Sequence, residues 1–144
     1  MTASTTALYT PQVLALATSL AQFPARPDLP LHGSARSIAC GSSLNMDLAV
    51  VDGAVAAIGL STHACAIGQA AAAIFASHAS GRSKAEITAS LCDLEAWLAG
   101  AAALPAWPML EQIAAARNFP GRHGAMLLPW KAALDALSSE ATPG

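Results

Sequence analysis

The sequence predicts an α+β fold, with a small antiparallel β-sheet centred on a hairpin over residues 44–62 and several α-helices packed against it. Three observations carry this reading. Two strand-like runs flank Asp52-Gly53, a dipeptide suited to a tight hairpin turn. Helix-start signals lie on both sides of the hairpin, at Thr10-Pro11 and at Ser83-Lys84-Ala85-Glu86. The 144 residues are 54% hydrophobic and 11% charged, with about a quarter alanine, a composition that builds close helix contacts rather than a bulky aromatic core.

Thr10 caps a first helix with Pro11 at its first position, and Val13, Leu14, Ala17 and Leu20 form its apolar face up to Phe23-Pro24. Residues 24–34 read as an irregular, proline-rich connection into a short extended segment over 36–39. The hairpin strands follow at 44–51 and 54–62. A two-residue turn sets Val51 against Ala54 and Cys40 against Cys65. A three-residue turn, Val51-Asp52-Gly53, sets Cys40 against Ala64. Side-chain parity favours the latter, because Leu44, Met46, Leu48 and Val50 then share a face with Leu60, Ile58, Ala56 and Ala54.

From Cys65 to about Ala79 the chain reads as a helix ended by Ser80-Gly81. The capping box at Ser83 and Glu86 starts another, running from Lys84 to about Ala99 with Ile87, Leu91, Leu94 and Leu98 as its stripe. A short helix spans Met109 to Arg117, and the last starts near Pro129. Residues 1–138 form a single domain and 139–144 a disordered tail. The expected core is Leu44, Met46, Leu48, Ile58, Leu60, Ile67, Ile74, Leu91 and Leu94.

No uninterrupted apolar run approaches the roughly 18 residues of a membrane-spanning helix. The net charge is −2 and the seven basic residues are scattered singly, which speaks against nucleic acid as a partner. Three cysteines without a basic, signal-like N-terminus point to reduced thiols and a cytoplasmic address.

The cysteines carry the chemistry. Cys40-Gly41-Ser42 precedes the hairpin, Ala64-Cys65-Ala66-Ile67-Gly68-Gln69 follows it at a helix start, and Gly121-Arg122-His123-Gly124-Ala125-Met126-Leu127-Leu128-Pro129-Trp130 leads into the last helix. In these segments and their order the chain resembles the IscU/SufU/NifU-type iron–sulfur cluster assembly scaffolds, most closely the SufU branch. That family has an aspartate where Ser42 stands and a third cysteine where Ala125 stands. The resemblance implies a non-enzymatic scaffold or sulfur acceptor. It would bind a [2Fe–2S] cluster or Zn2+ through Cys40 and Cys65, with a cysteine desulfurase and apo iron–sulfur proteins as partners.

Thiolate and imidazole both suit these metals, so His123 is the candidate third ligand, with Ser42 and His63 as weaker candidates. Arg122 is the basic residue expected to steady a thiolate or persulfide. Cys92, outside these segments, reads as incidental. A zinc-bound persulfide relay and a metal-free assembly or regulatory partner are the alternative functions.

Overall fold

The computed structural model describes residues 8–101 and 103–140. Thr10 caps helix α1 (Pro11–Ser19), its side chain accepting from the Val13 N–H at 3.1 Å, and a 3₁₀ turn over Leu20–Gln22 ends at Phe23. Val13 and Leu16 face the core, whereas Leu14, expected on that face, is 49% exposed.

The sheet has three antiparallel strands in the order β1 (Leu31–Arg36), β2 (Ser43–Val51), β3 (Ala54–His63). The extended segment expected at 36–39 is therefore displaced, and Leu31 to Gly33, read as connection, belong to a strand paired along β2 from Leu31↔Leu48 to Arg36↔Ser43. His32 sits in that strand, its Nδ1 2.7 Å from Asp47 Oδ1.

The hairpin turn has two residues, not the three that parity favoured. Val51 pairs with Ala54 across Asp52 and Gly53, both at positive φ (53° and 78°), as a type I′ turn requires. Parity is recovered by a bulge: the register shifts between Ala49 and Val50 and leaves Ala56 without a partner. Leu44, Met46 and Leu48 consequently stand opposite Thr62, Leu60 and Ile58.

Helix α2 (Ala66–His78) follows β3, and helix α3 (Lys84–Leu98) begins with the expected capping box, in which Ser83 Oγ accepts from the Glu86 N–H and Glu86 accepts from the Ser83 N–H. The short helix expected at Met109 to Arg117 forms as a 3₁₀ segment over Leu110–Asn118. Helix α4 (His123–Glu140) starts six residues before the proline expected to open it, and Pro129 lies in its interior, without an N–H to give the Ala125 carbonyl. Of the expected tail, 139 and 140 are helical and 141–144 lie outside the described residues.

Helix α4 lies along β1 and β2, while α2 packs on α4 and α1 and α3 packs on α4. The core joins Leu44, Met46, Leu48 and Leu60 to Ile67, Ile74, Ile87 and Leu94, with Ile58 and Leu91 only partly buried. Phe75 stacks on Trp107 at 5.0 Å, and both rings meet Trp130 edge-on at 5.3 Å. The indole N–H groups are paired, Trp107 with the Ile74 carbonyl and Trp130 with Ser90 Oγ, so these rings bury without an orphaned donor. No helix among the described residues is long and apolar enough to cross a membrane.

Candidate functional site

The β1–β2 ladder stops at Arg36↔Ser43, leaving residues 37–42 to connect the strands. This loop is closed by the Ser37 N–H donating to the Ser42 carbonyl at 2.8 Å and the Gly41 N–H to the Ser37 carbonyl at 2.9 Å. It holds the Cys40 sulfur 3.3 Å from Ser37 Oγ and 3.1 Å from Ser42 Oγ. Ser37 (8% exposed) and Ser42 (4%) are the buried polar side chains among the described residues, and both turn to this one sulfur.

A thiol here can donate to one hydroxyl and accept from the other, whereas a thiolate can accept from both. Burial pushes the Cys40 thiol up. The hydroxyls of Ser37 and Ser42, a backbone hydrogen bond from Ser42 and the charge of Arg122 together outweigh it, and the pKa falls below that of an ordinary thiol.

Cys65 occupies the N-cap of α2, with extended backbone (φ −65°, ψ 171°), and its side chain makes no capping bond. The first turn is fastened instead by Gln69, whose N–H donates to the Cys65 carbonyl and whose Nε2 donates to the Ala64 carbonyl, each at 2.9 Å. The half-buried thiol is left unengaged by the cap.

The start of α4 lies between these two segments. Gly124 abuts Ser37, and Ala125 abuts Gly68, where an added β-carbon would come within 3.3 Å of Ala125 Cβ. Arg122, in the 3₁₀ turn before α4, donates from Nη2 to the Tyr9 hydroxyl at 3.4 Å. Tyr9 and, after it, the negative charge available at Cys65 and Cys40 raise the Arg122 pKa still further, so one guanidinium couples to both sulfurs. Its Nε is buried without a hydrogen-bond partner.

Three segments distant in sequence thus converge, and Cys40, Cys65 and Arg122 share one corner. They do so through the 37–42 loop and the start of α4, not as the cross-strand neighbours the hairpin predicted, because β2 begins only at Ser43. His123 is turned to the Arg117 carbonyl, 2.7 Å from its Nε2. His63 is exposed at the end of β3, opposite Ser43. Ser42 Oγ is committed to Cys40, and Cys92 is exposed on α3.

Among the described residues, which include every cysteine and histidine of the chain, no three His, Cys, Asp or Glu side chains come together to hold a metal ion. Zinc takes three or four protein ligands, and two thiols fall short of that. Ala125, where the resembling family has its third thiol, offers only a fully buried methyl group. Ser37 and Tyr9 were missed at the sequence level. The one available signal for Ser37 is its place three residues before Cys40, mirrored by Ser42 two residues after it.

No protein-family model matches the chain, and no curated protein matches it. Solved structures do. The N-terminal part of a nitrogen-fixing NifU-like protein from Brucella abortus is 25% identical over 94% of this chain and 96% of its own, with a TM-score of 0.80. A protein from Fervidobacterium islandicum, described as a candidate iron–sulfur cluster assembly scaffold for the SUF system, is 19% identical over 93% and 99%, with a TM-score of 0.82. A third structure, of a hypothetical protein, is 18% identical over 88% and 96%, with a TM-score of 0.70. The fold is that of the NifU- and SufU-type scaffolds, and the chain resembles them at the level of the family without being placed in one branch.

Proposed function

We propose that this chain serves iron–sulfur cluster assembly as a sulfur acceptor. It would take sulfur from a cysteine desulfurase at Cys40 or Cys65 and pass it to an acceptor protein. As a carrier it is not a turnover enzyme, in keeping with the scaffold-type proteins whose fold it shares. The observation that supports this reading best is the meeting of Cys40, Cys65 and Arg122 in one corner: two thiols able to take sulfur and a cation to stabilise the anionic forms. We assign it to the cytoplasm, where thiols stay reduced.

The second reading is a scaffold that holds iron and sulfide as cargo between the two cysteines. It is favoured by the scaffold description of the Fervidobacterium neighbour, and a SufU-like branch assignment goes with it. A resident zinc ion finds too few ligands here. The deciding experiment measures metal, acid-labile sulfide and sulfane sulfur in protein purified anaerobically, for wild type and for Cys40→Ala, Cys65→Ala and His123→Ala. The acceptor reading expects sulfane sulfur that depends on a cysteine and no stoichiometric metal. Iron with sulfide, lost in both cysteine variants, would establish the scaffold. One zinc per chain would establish the zinc relay. Folded protein that holds neither sulfur nor metal would leave the metal-free partner.

A further inference from the structure

Ser37 and Ser42 lie on either side of Cys40 in the 37–42 loop, each in contact with its sulfur. Both hydroxyls are more than nine-tenths buried, yet both are spent on one half-buried sulfur rather than on the loop backbone. Burying two hydroxyls is costly unless each finds a partner, so the arrangement is stable only with Cys40 at its centre. The loop is also held from behind: the Ser37 hydroxyl lies against Gly124 at the start of α4, in the space a β-carbon there would fill. The sulfur itself is only partly buried, and the loop borders a cleft of about 460 Å3 lined by Arg36, Ser37, Ile38 and Gly41, with Ile38 99% exposed.

We propose that Ser37 and Ser42 are positioning residues that hold Cys40 as a hydrogen-bonded sulfur nucleophile, so that sulfane sulfur transfers to Cys40 without a bound metal. This rests on the sulfur-acceptor reading above and specifies how the acceptor works. The Cys40 thiolate attacks the terminal sulfur of a persulfide donor, R–S–SH. A sulfur–sulfur bond forms at Cys40 as the donor's breaks. R–S⁻ departs with the electron pair, and Cys40 carries –S–SH. The sulfane sulfur moves in its existing oxidation state, so no oxidant or reductant is consumed. The two hydroxyls hold the attacking sulfur in place, and the Arg122 guanidinium offsets its charge.

The test uses glutathione persulfide as donor and the full chain, reading the loading rate at Cys40 from the mass of its peptide with and without EDTA. Wild type should load at the same rate in both conditions. Ser37→Ala and Ser42→Ala, which remove one oxygen each, should slow loading about tenfold, the loss of one hydrogen bond to a charged sulfur, with unchanged melting curves. Ser42→Thr keeps the hydroxyl and should restore most of the rate, which a merely structural role for the oxygen would not require. Should Ser42→Thr fold poorly, Ser37→Ala alone still decides. Serine variants loading at the wild-type rate overturn the proposal and leave the acceptor reading intact, whereas loading abolished by EDTA overturns the proposal in favour of the metal-holding relay. Wild-type Cys40 and Cys65 that take no sulfur from any persulfide overturn the acceptor reading itself.

Discussion

Gly124 and Ser37 are in direct contact, and a β-carbon at 124 would overlap the Ser37 hydroxyl. The start of α4 thereby sets the position of a group that hydrogen-bonds the Cys40 sulfur. Gly124→Ala should gain helix propensity yet lose more to overpacking, a net cost of about 1–2 kcal/mol in urea unfolding. In a Ser37→Ala background the cost should shrink, and a double-mutant cycle measures the coupling. Equal costs in both backgrounds would mean that the helix start and the loop are independent.

Cys40 has a lowered pKa, because Ser37, Ser42 and Arg122 favour its thiolate more than burial disfavours it. The thiolate is the reactive form, so the sign is definite: as pH rises, Cys40 should become reactive earlier than an ordinary thiol. Alkylation with iodoacetamide, followed site by site across pH, should show a Cys40 midpoint below that of a free cysteine. At neutral pH, Cys40 should react faster than the more exposed Cys92. A slower Cys40 would show that burial wins.

Zinc binding should be absent from the wild type and recoverable by design. Ser42→Asp combined with Ala125→Cys supplies an oxygen and a sulfur from the same two segments that already flank Cys40 and Cys65. The double variant should take up one zinc per chain in a titration against a colorimetric chelator, where wild type takes none. A wild type that binds zinc one to one would contradict this and favour the zinc relay.

Gly33 lets α4 approach the sheet closely, since a β-carbon there would overlap the backbone of Ala132 and Ala136. Gly33→Ala should therefore cost about 3 kcal/mol, measured by urea unfolding. A neutral substitution would mean that α4 can lift off β1 without loss.

That same glycine shows where the sequence stopped being legible. Gly33 sits among Pro24, Pro27 and Pro30 and reads as loop punctuation. Its actual work is tertiary, letting a helix about a hundred residues later lie on a strand, and nothing local signals that. Pro129 misled for the opposite reason. Proline is a strong helix-start signal, but buried residues on both sides of it, from Ala125 to Ala133, keep α4 continuous through it.

Signals closed within a few residues were legible: the Thr10 cap, the Ser83–Glu86 box and the Asp52-Gly53 turn all formed. The parity of the hairpin was legible too, though the bulge at Ala56 that produces it was not. At the site, the cysteines and Arg122 stood out by chemistry. Ser37 did not, because its role depends on a loop conformation fixed by the loop's own backbone bonds and by the packing of α4.

The most direct test of the account is to incubate the chain anaerobically with a cysteine desulfurase and cysteine, then weigh each cysteine peptide. The account predicts one added sulfur at Cys40, lost in Cys40→Ala and retained in Cys92→Ser. A folded wild type with no added sulfur on any cysteine, beside a desulfurase shown to be active, would contradict it.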